Sequence, residues 1–156
     1  MKKIILIFLL LFCFKTIIAQ KNAIKVNPLG LALGIANIGF EFKISDNQTA
    51  SFSALYAKVD DIDGFGAGIE QRFYFDSDEA FMGWHAGPSF GVLALKNNNH
   101  ESTVFSIAAD IGHQWVFKKG FLVDAFAGVG YLINTEGFND LKKLNISIGV
   151  SIGYFW

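Results

Sequence analysis

The sequence has one cysteine, two prolines and no apolar run long enough to cross a bilayer as a helix. Each shortage removes a class of protein. Cys13 lies in residues 1–19, MKKIILIFLLLFCFKTIIA, which have the layout of a secretory signal: Lys2 and Lys3 lead, and an unbroken apolar run of eleven residues follows from Ile4 to Phe14. A spanning helix needs about 20 apolar residues, so this run fits the core of a signal peptide. Cleavage is expected after Ala19, although Ile17 is bulkier than the usual small residue. Phe12 before Cys13 and Lys15 after it disfavour a lipid anchor there. Residues 20–156, the expected mature chain, then lack cysteine altogether, and with it any disulfide, thiolate nucleophile or cysteine metal site. A basic excess is also missing. Loss of Lys2, Lys3 and Lys15 leaves 10 basic residues against 14 acidic, a net charge of −4, and no basic patch points to nucleic acid. What the chain does have is 52% apolar residues, 17 Phe and 16 Gly, a composition that excludes disorder.

Helical periodicity is absent as well. Beyond residue 23 the period is two. Leu29, Leu31, Leu33 and Ile35 alternate with Gly30, Ala32 and Gly34, and Ile38, Phe40, Phe42 and Ile44 alternate with Gly39, Glu41 and Lys43. The same pattern recurs over 65–75, 82–92, 105–117, 121–131 and 146–156, giving seven strands. Residues 50–59 supply an eighth of mixed phase, with Phe52 and Tyr56 on one face and Leu55 and Val59 on the other. The connections SDNQT, DDIDG, DSDEA, KNNNHES, KKG and NTEGFNDLKKLN are polar and turn-rich.

Glycine placement decides between two all-β architectures. Thirteen of the 16 glycines (30, 34, 39, 66, 68, 83, 87, 91, 112, 128, 130, 149 and 153) fall opposite the large apolar residues. A water-facing strand surface normally carries Thr, Lys, Glu and Gln, whereas strand glycine offers nothing to pack. Gly, Ala and Ser suit instead the cramped interior of an eight-stranded barrel. The bulky face then looks outward, which is tolerable only in lipid, and lipid requires closure because an open edge leaves backbone groups unpaired. The expected fold is a closed, antiparallel, eight-stranded transmembrane β-barrel. With the N-terminus in the periplasm, the shorter connections fall on that side and KNNNHES and NTEGFNDLKKLN outside, as in outer-membrane barrels. Phe42, Phe73, Phe75, Trp84, Trp115, Phe117 and Phe121 then share one level with Phe52, Tyr154 and Trp156, an aromatic girdle at the periplasmic headgroup zone. Tyr56, Phe65, Phe105 and Tyr131 form a thinner outer girdle.

The last strand, ISIGVSIGYFW, and the segment GHQWVFKKGFLVDAFAGVGY (112–131) carry a family resemblance. Residues 20–156 resemble the small eight-stranded outer-membrane barrels of OmpA and OmpX plan. They are more similar still to short outer-membrane proteins of unknown function from Bacteroidota-type bacteria. His113 stands where that pattern would have Tyr. The resemblance implies that Ile148, Val150, Ile152, Tyr154 and Trp156 form the terminal signal read by the barrel-assembly machinery. It also implies outer-membrane lipids and lipopolysaccharide as surroundings.

Lumen-phase polar residues are the main candidate constellation: Glu41, Lys43, Glu70, Arg72, His85, Asp110, Gln114 and Asp124. Adding residue numbers across each turn sets Glu41 opposite Ser53, Arg72 opposite His85, His85 opposite Gln114, and Gln114 opposite Asp124. The expectation is a buried, paired network that fills the lumen and fixes register. Four acids face Lys43 and Arg72, so a protonated His85 or one protonated carboxyl is expected. Three other groups invite chemistry. His100 and Ser102 flank Glu101 with the spacing of a lipid A deacylase pair, but follow three asparagines in a loop that would not hold base and nucleophile in reach. Asp60, Asp61 and Asp63 resemble part of a calcium loop without its terminal Glu. His113 is expected to face outward near the girdle. No catalytic residue, metal or cofactor is therefore assigned. The leading expectation is a non-enzymatic outer-membrane barrel with a structural or adhesive role. Its rivals are a lipid-modifying barrel enzyme and a secreted soluble barrel that binds an apolar ligand.

Overall fold

The computed structural model describes residues 21–75, 80–98, 100–134 and 142–156, so the expected signal segment 1–19 lies outside it. Eight strands run in chain order and close on themselves: β1 (Asn22–Val26), β2 (Ile35–Ser45), β3 (Gln48–Val59), β4 (Ile62–Tyr74), β5 (Gly83–Lys96), β6 (Glu101–Val116), β7 (Phe121–Ile133) and β8 (Leu144–Phe155). Each pairs antiparallel with the next. β1 and β8 complete the circle through Ala23↔Phe155 to Val26↔Ile152, with reciprocal 2.9 Å backbone bonds between Asn22 and Trp156. Both chain ends thus share one rim, here termed the terminal rim; the opposite one is the far rim.

The two faces are as the glycine pattern requires. Ile146, Ile148 and Phe65 are 75%, 80% and 63% exposed on the outside, whereas Glu41, His85, Gln114 and Asp124 are fully buried within. Small lumen residues let the strands pack. A Cβ on Gly87 would lie 1.7 Å from the Gln71 carbonyl oxygen.

The first strand differs from expectation. Leu29 to Gly34 is not a strand, and Ile35 opens β2. Residues Pro28–Ala32 form a helix, α1, and β1 lies before it. Asn27 caps the helix by accepting from Gly30 N–H, and Pro28 occupies its first turn, where a missing N–H costs nothing. Gly34 ends this segment at φ +82, with a carbonyl of Lys58 where a Cβ would sit. Gly30 and Gly34 therefore leave the strand set, and Gly64, expected in a turn, joins β4.

Connection lengths are also redistributed. β5 and β6 extend to Lys96 and Glu101, so the expected long loop between them shrinks to residues 97–100. On the terminal rim, residues 75–82 make a longer connection than expected, and residues 46–47 and 117–120 remain short.

Candidate functional site

The lumen is organised in layers. At the terminal rim the β4–β5 connection turns inward: Phe81, at φ 78, is buried with Ala23, Tyr74 and Ala80, and its ring lies 5.1 Å from that of Phe155. Ala80 N–H is held by Asp46 C=O at 2.6 Å. This apolar cap seals one mouth. At the far rim, Leu95 and Val104 are buried with Ile62, Leu93 and Leu132 around them, a second apolar layer.

Between the caps, directly above Phe81, lies the charged cluster. Asp124 on β7 is its hub. Its Oδ2 accepts from Arg72 Nη1 at 2.6 Å and from Lys25 Nζ at 3.2 Å, and its Oδ1 is 2.9 Å from His85 Nε2. Lys25 from β1 reaches Glu41 of β2 in a 2.5 Å ion pair. The other Glu41 oxygen accepts from Thr49 at 2.6 Å and Tyr74 at 2.8 Å. Arg72 spends its remaining donors on Glu70, bidentately, at 2.8 and 2.9 Å. Gln114 donates to the Phe81 carbonyl and its own carbonyl accepts from Lys25, tying the charges to the cap beneath. Side chains from seven strands, β1 to β7, thus meet in the lumen.

Of the expected lumen residues, Glu41, Glu70, Arg72, His85, Gln114 and Asp124 come together. Two do not. Asp110 sits higher in the lumen, bonded to Ser89 at 2.8 Å and Ser147 at 3.4 Å. Lys43 leaves the cluster altogether. Two residues nearer the β2–β3 turn than Glu41, it reaches the rim, where its ammonium bonds Asp46 at 2.8 Å and holds that carboxyl below the ordinary carboxylate range. Lys25, outside the expected set, takes its place. Registers shift accordingly: Glu41 pairs with Ser51, and His85 stands between Tyr74 and Gly112, while Gln114↔Asp124 is as expected.

Nor is the lumen filled throughout. Between charged cluster and far cap lies a cavity of about 230 Å³, walled by Ser51, Ser53, Ser89, Ser106, Glu70 and Asp110. Such a volume with such a lining accommodates several waters.

Outside, Trp84 and Trp115 flank His113 at ring distances of 5.2 and 4.3 Å, Phe42 stacks on Phe52 at 5.8 Å, and Phe117 meets Phe121 at 5.8 Å. Phe73 and Phe75 are exposed near the same rim. In β8, Ile148, Ile152 and Tyr154 look outward with Val150 half-buried, and Tyr154 stacks on Trp156 at 6.1 Å. Tyr56, Phe65, Phe105 and Tyr131 are exposed toward the far rim.

The residues that suggested hydrolysis do not converge. Glu101 and Ser102 begin β6 rather than lying in the loop. Ser102 Oγ donates to Asn134 C=O, and His100 N–H donates to Asn97. Asp63 belongs to β4 and accepts from Tyr56. Among the described residues, no group of three or more His, Cys, Asp or Glu side chains is arranged to hold a metal, and no helix is long and apolar enough to cross a membrane.

A closed eight-stranded meander with an apolar exterior, an aromatic rim and a paired charged lumen has the fold of the small outer-membrane β-barrels. Solved structures that share it include the following. The N-terminal barrel domain of Pseudomonas aeruginosa OprF is 14% identical, with a TM-score of 0.56 over 87% of this chain and 97% of that one. Yersinia pestis Ail in a nanodisc is 10% identical, with a TM-score of 0.54 over 88% and 99%. Neisserial surface protein A is 16% identical, with a TM-score of 0.52 over 87% and 93%. The chain belongs to the DUF3575 family, described as proteins of unknown function, whose model matches residues 4–143. No curated protein matches it.

Proposed function

We propose that the chain is an integral outer-membrane protein, exported by residues 1–19 and inserted as a barrel over residues 20–156. Its terminal rim then faces the periplasm and its far rim the exterior. The observation that carries this reading is the inversion of the barrel: bulky outward groups such as Ile146, Ile148, Phe65 and Phe90 are half or more exposed, while the charges are buried. In water that surface would drive aggregation; in hydrocarbon it costs nothing. The girdle at the terminal rim supports its placement at a headgroup zone, since ring side chains favour that level.

The role we infer is non-enzymatic: a structural or adhesive barrel acting through its outer connections and its lipid contacts, lipopolysaccharide included. Two apolar caps and a hydrogen-bonded charge cluster favour a rigid scaffold over an open pore. Ile148, Val150, Ile152, Tyr154 and Trp156 serve as the terminal signal for the assembly machinery. The test is fractionation of cells expressing the full chain, followed by electrophoresis with and without boiling. Expected is a band in the detergent-extracted outer membrane whose mobility changes on boiling. A soluble periplasmic protein of unchanged mobility would overturn the assignment.

A further inference from the structure

β1 ends at Val26, where Asn27 and Pro28 turn the chain into α1. The helix packs against β2 and β8, and Gly34 C=O accepts from Lys58 N–H at 2.8 Å, which ties the end of this segment to β3. Beside the helix, the outward face of the wall holds an apolar crevice of about 640 Å³. Its lining follows the strand register. Ile152, Val26, Ile38 and Ala54 are successive cross-strand partners on β8, β1, β2 and β3. One row nearer the far rim, Ala36, Tyr56 and Phe65 are partners on β2, β3 and β4. Pro28 and Leu31 close the crevice from the helix side. Four interstrand steps of about 4.8 Å separate β8 from β4, so the crevice runs about 19 Å along the wall.

Chemistry and direction together fix what fits there. No charged residue lines the crevice. The Tyr56 hydroxyl donates to Asp63, and the Asn27 side chain accepts from Gly30 N–H. Apart from Asn37, the rest of the lining is hydrocarbon, so the site asks its occupant for carbon. Tyr56 and Phe65 belong to the outer aromatic level, whereas Val26 and Ile152 lie between the two girdles. The crevice therefore begins at the headgroup level of the far rim and descends toward mid-membrane, which is the course of a lipid chain. Chains of one leaflet are about 15 Å long, half of a hydrocarbon core of about 30 Å, so the crevice takes one in full. Left empty, it would deprive its lining of dispersion contacts on one side.

We propose that the early end of β1 creates a binding site for one acyl chain of an outer-leaflet lipid, seated beside α1 with its tail toward Val26 and Ile152. The head stays outside the crevice, and its charge does not decide binding. This rests on the outer-membrane reading above, since only then does the crevice open on hydrocarbon. A smaller hollow of about 360 Å³ over Ala67, between Phe52, Ile69, Phe90 and Val92, has no helix residue in its lining and provides the comparison.

The experiment uses the folded barrel in nanodiscs, its state verified in each sample by heat-modifiability, so that failure of the membrane reading is seen separately. The probes are phosphatidylcholine and phosphatidylglycerol, each with a photoreactive diazirine at the end of one hexadecanoyl chain, added as a minor fraction of the lipid. Expected is labelling concentrated at Val26, Ile38 and Ile152, about tenfold above that at Ile111 on the opposite wall and Phe90 in the smaller hollow, and equal for the two heads. Ala54→Trp and the milder Ala36→Leu, which fill the crevice from outside, bring its labelling down to the level of the rest of the wall. Ala67→Trp leaves it intact. Labelling spread evenly around a folded barrel, a clear difference between the two heads, or crevice labelling that survives both filling substitutions would overturn the proposal.

Discussion

Arg72 and Asp124, from strands on opposite sides of the barrel, meet in a 2.6 Å ion pair at the centre of the lumen. Neither touches bulk water, and each has further partners: Arg72 holds Glu70, and Asp124 holds Lys25 and His85. A pair of this kind locks the registers of β4 and β7 relative to each other. Removing one partner leaves the other charge buried and unmatched, at a cost of about 3–5 kcal/mol. Arg72→Met and Asp124→Leu should each lower unfolding stability by that order, whereas the double variant should lose less than the sum. Urea titration of the barrel in micelles, read as a double-mutant cycle, gives the coupling directly. Strict additivity would mean that the two residues do not depend on each other.

Lys25 and Lys43 make a second comparison. Lys25 is buried between Glu41 and Asp124, whereas Lys43 pairs with a fully solvated Asp46. Lys25→Met should destabilise the barrel by several kcal/mol, on the order of a broken buried pair. Lys43→Met should change it by less than about 1 kcal/mol, the range of exposed pairs. The midpoint of thermal loss of the heat-modifiable band ranks the two. Equal effects would contradict the placement of Lys43 at the rim.

These two lysines also mark how far the sequence could be read. Period-two alternation and glycine phase suffice for closure and facing, because a strand buried on one side repeats every second residue. The girdle follows from the same alternation. The first strand did not, because Leu29, Leu31 and Leu33 alternate with small residues as a strand would, while Asn27 and Pro28 begin a helix instead. The readable signals were the Asn-Pro start and the alternation Ala23, Ile24, Lys25, Val26 in the five residues of β1. Missing β1 meant missing Lys25. Register across the β2–β3 turn differs by two from that expected, because the turn is short and an irregularity precedes it: Ser51, not Ser53, pairs with Glu41. The inward fold of Phe81 has no sequence signal, since it depends on space left by Ala23 and Ala80.

Phe81 supplies the third prediction. Its ring fills the terminal mouth against Tyr74 and Phe155, and its carbonyl holds Gln114. Phe81→Ala should cost about 3–5 kcal/mol, as for other buried phenylalanines. Because φ is 78°, Phe81→Gly should be no worse than Phe81→Ala despite removing one more carbon. Comparison of the two unfolding midpoints checks this. A clear deficit for glycine would contradict the inward, left-handed conformation.

The tryptophans test the girdle. Trp84, Trp115 and Trp156 all lie toward the terminal rim and are 43–48% exposed. Single-tryptophan variants in bilayers of lipids brominated near the headgroup or near the chain end should all be quenched more strongly by the shallow bromines. Stronger quenching by the deep label at any of the three would misplace the barrel along the membrane normal.

On the outer-membrane reading, the bulky side chains of the strands face hydrocarbon and the small ones face the axis. Residues 20–156 contain no cysteine, so a cysteine scan of β8 is clean. Spin labels at Ile146, Ile148, Val150, Ser147 and Ser151, with the barrel in bilayers, report collision with oxygen against collision with a water-soluble nickel complex. The account predicts high oxygen accessibility at 146, 148 and 150 and low values at 147 and 151. The reverse alternation, with nickel reaching the serines and oxygen excluded from the isoleucines, would contradict it.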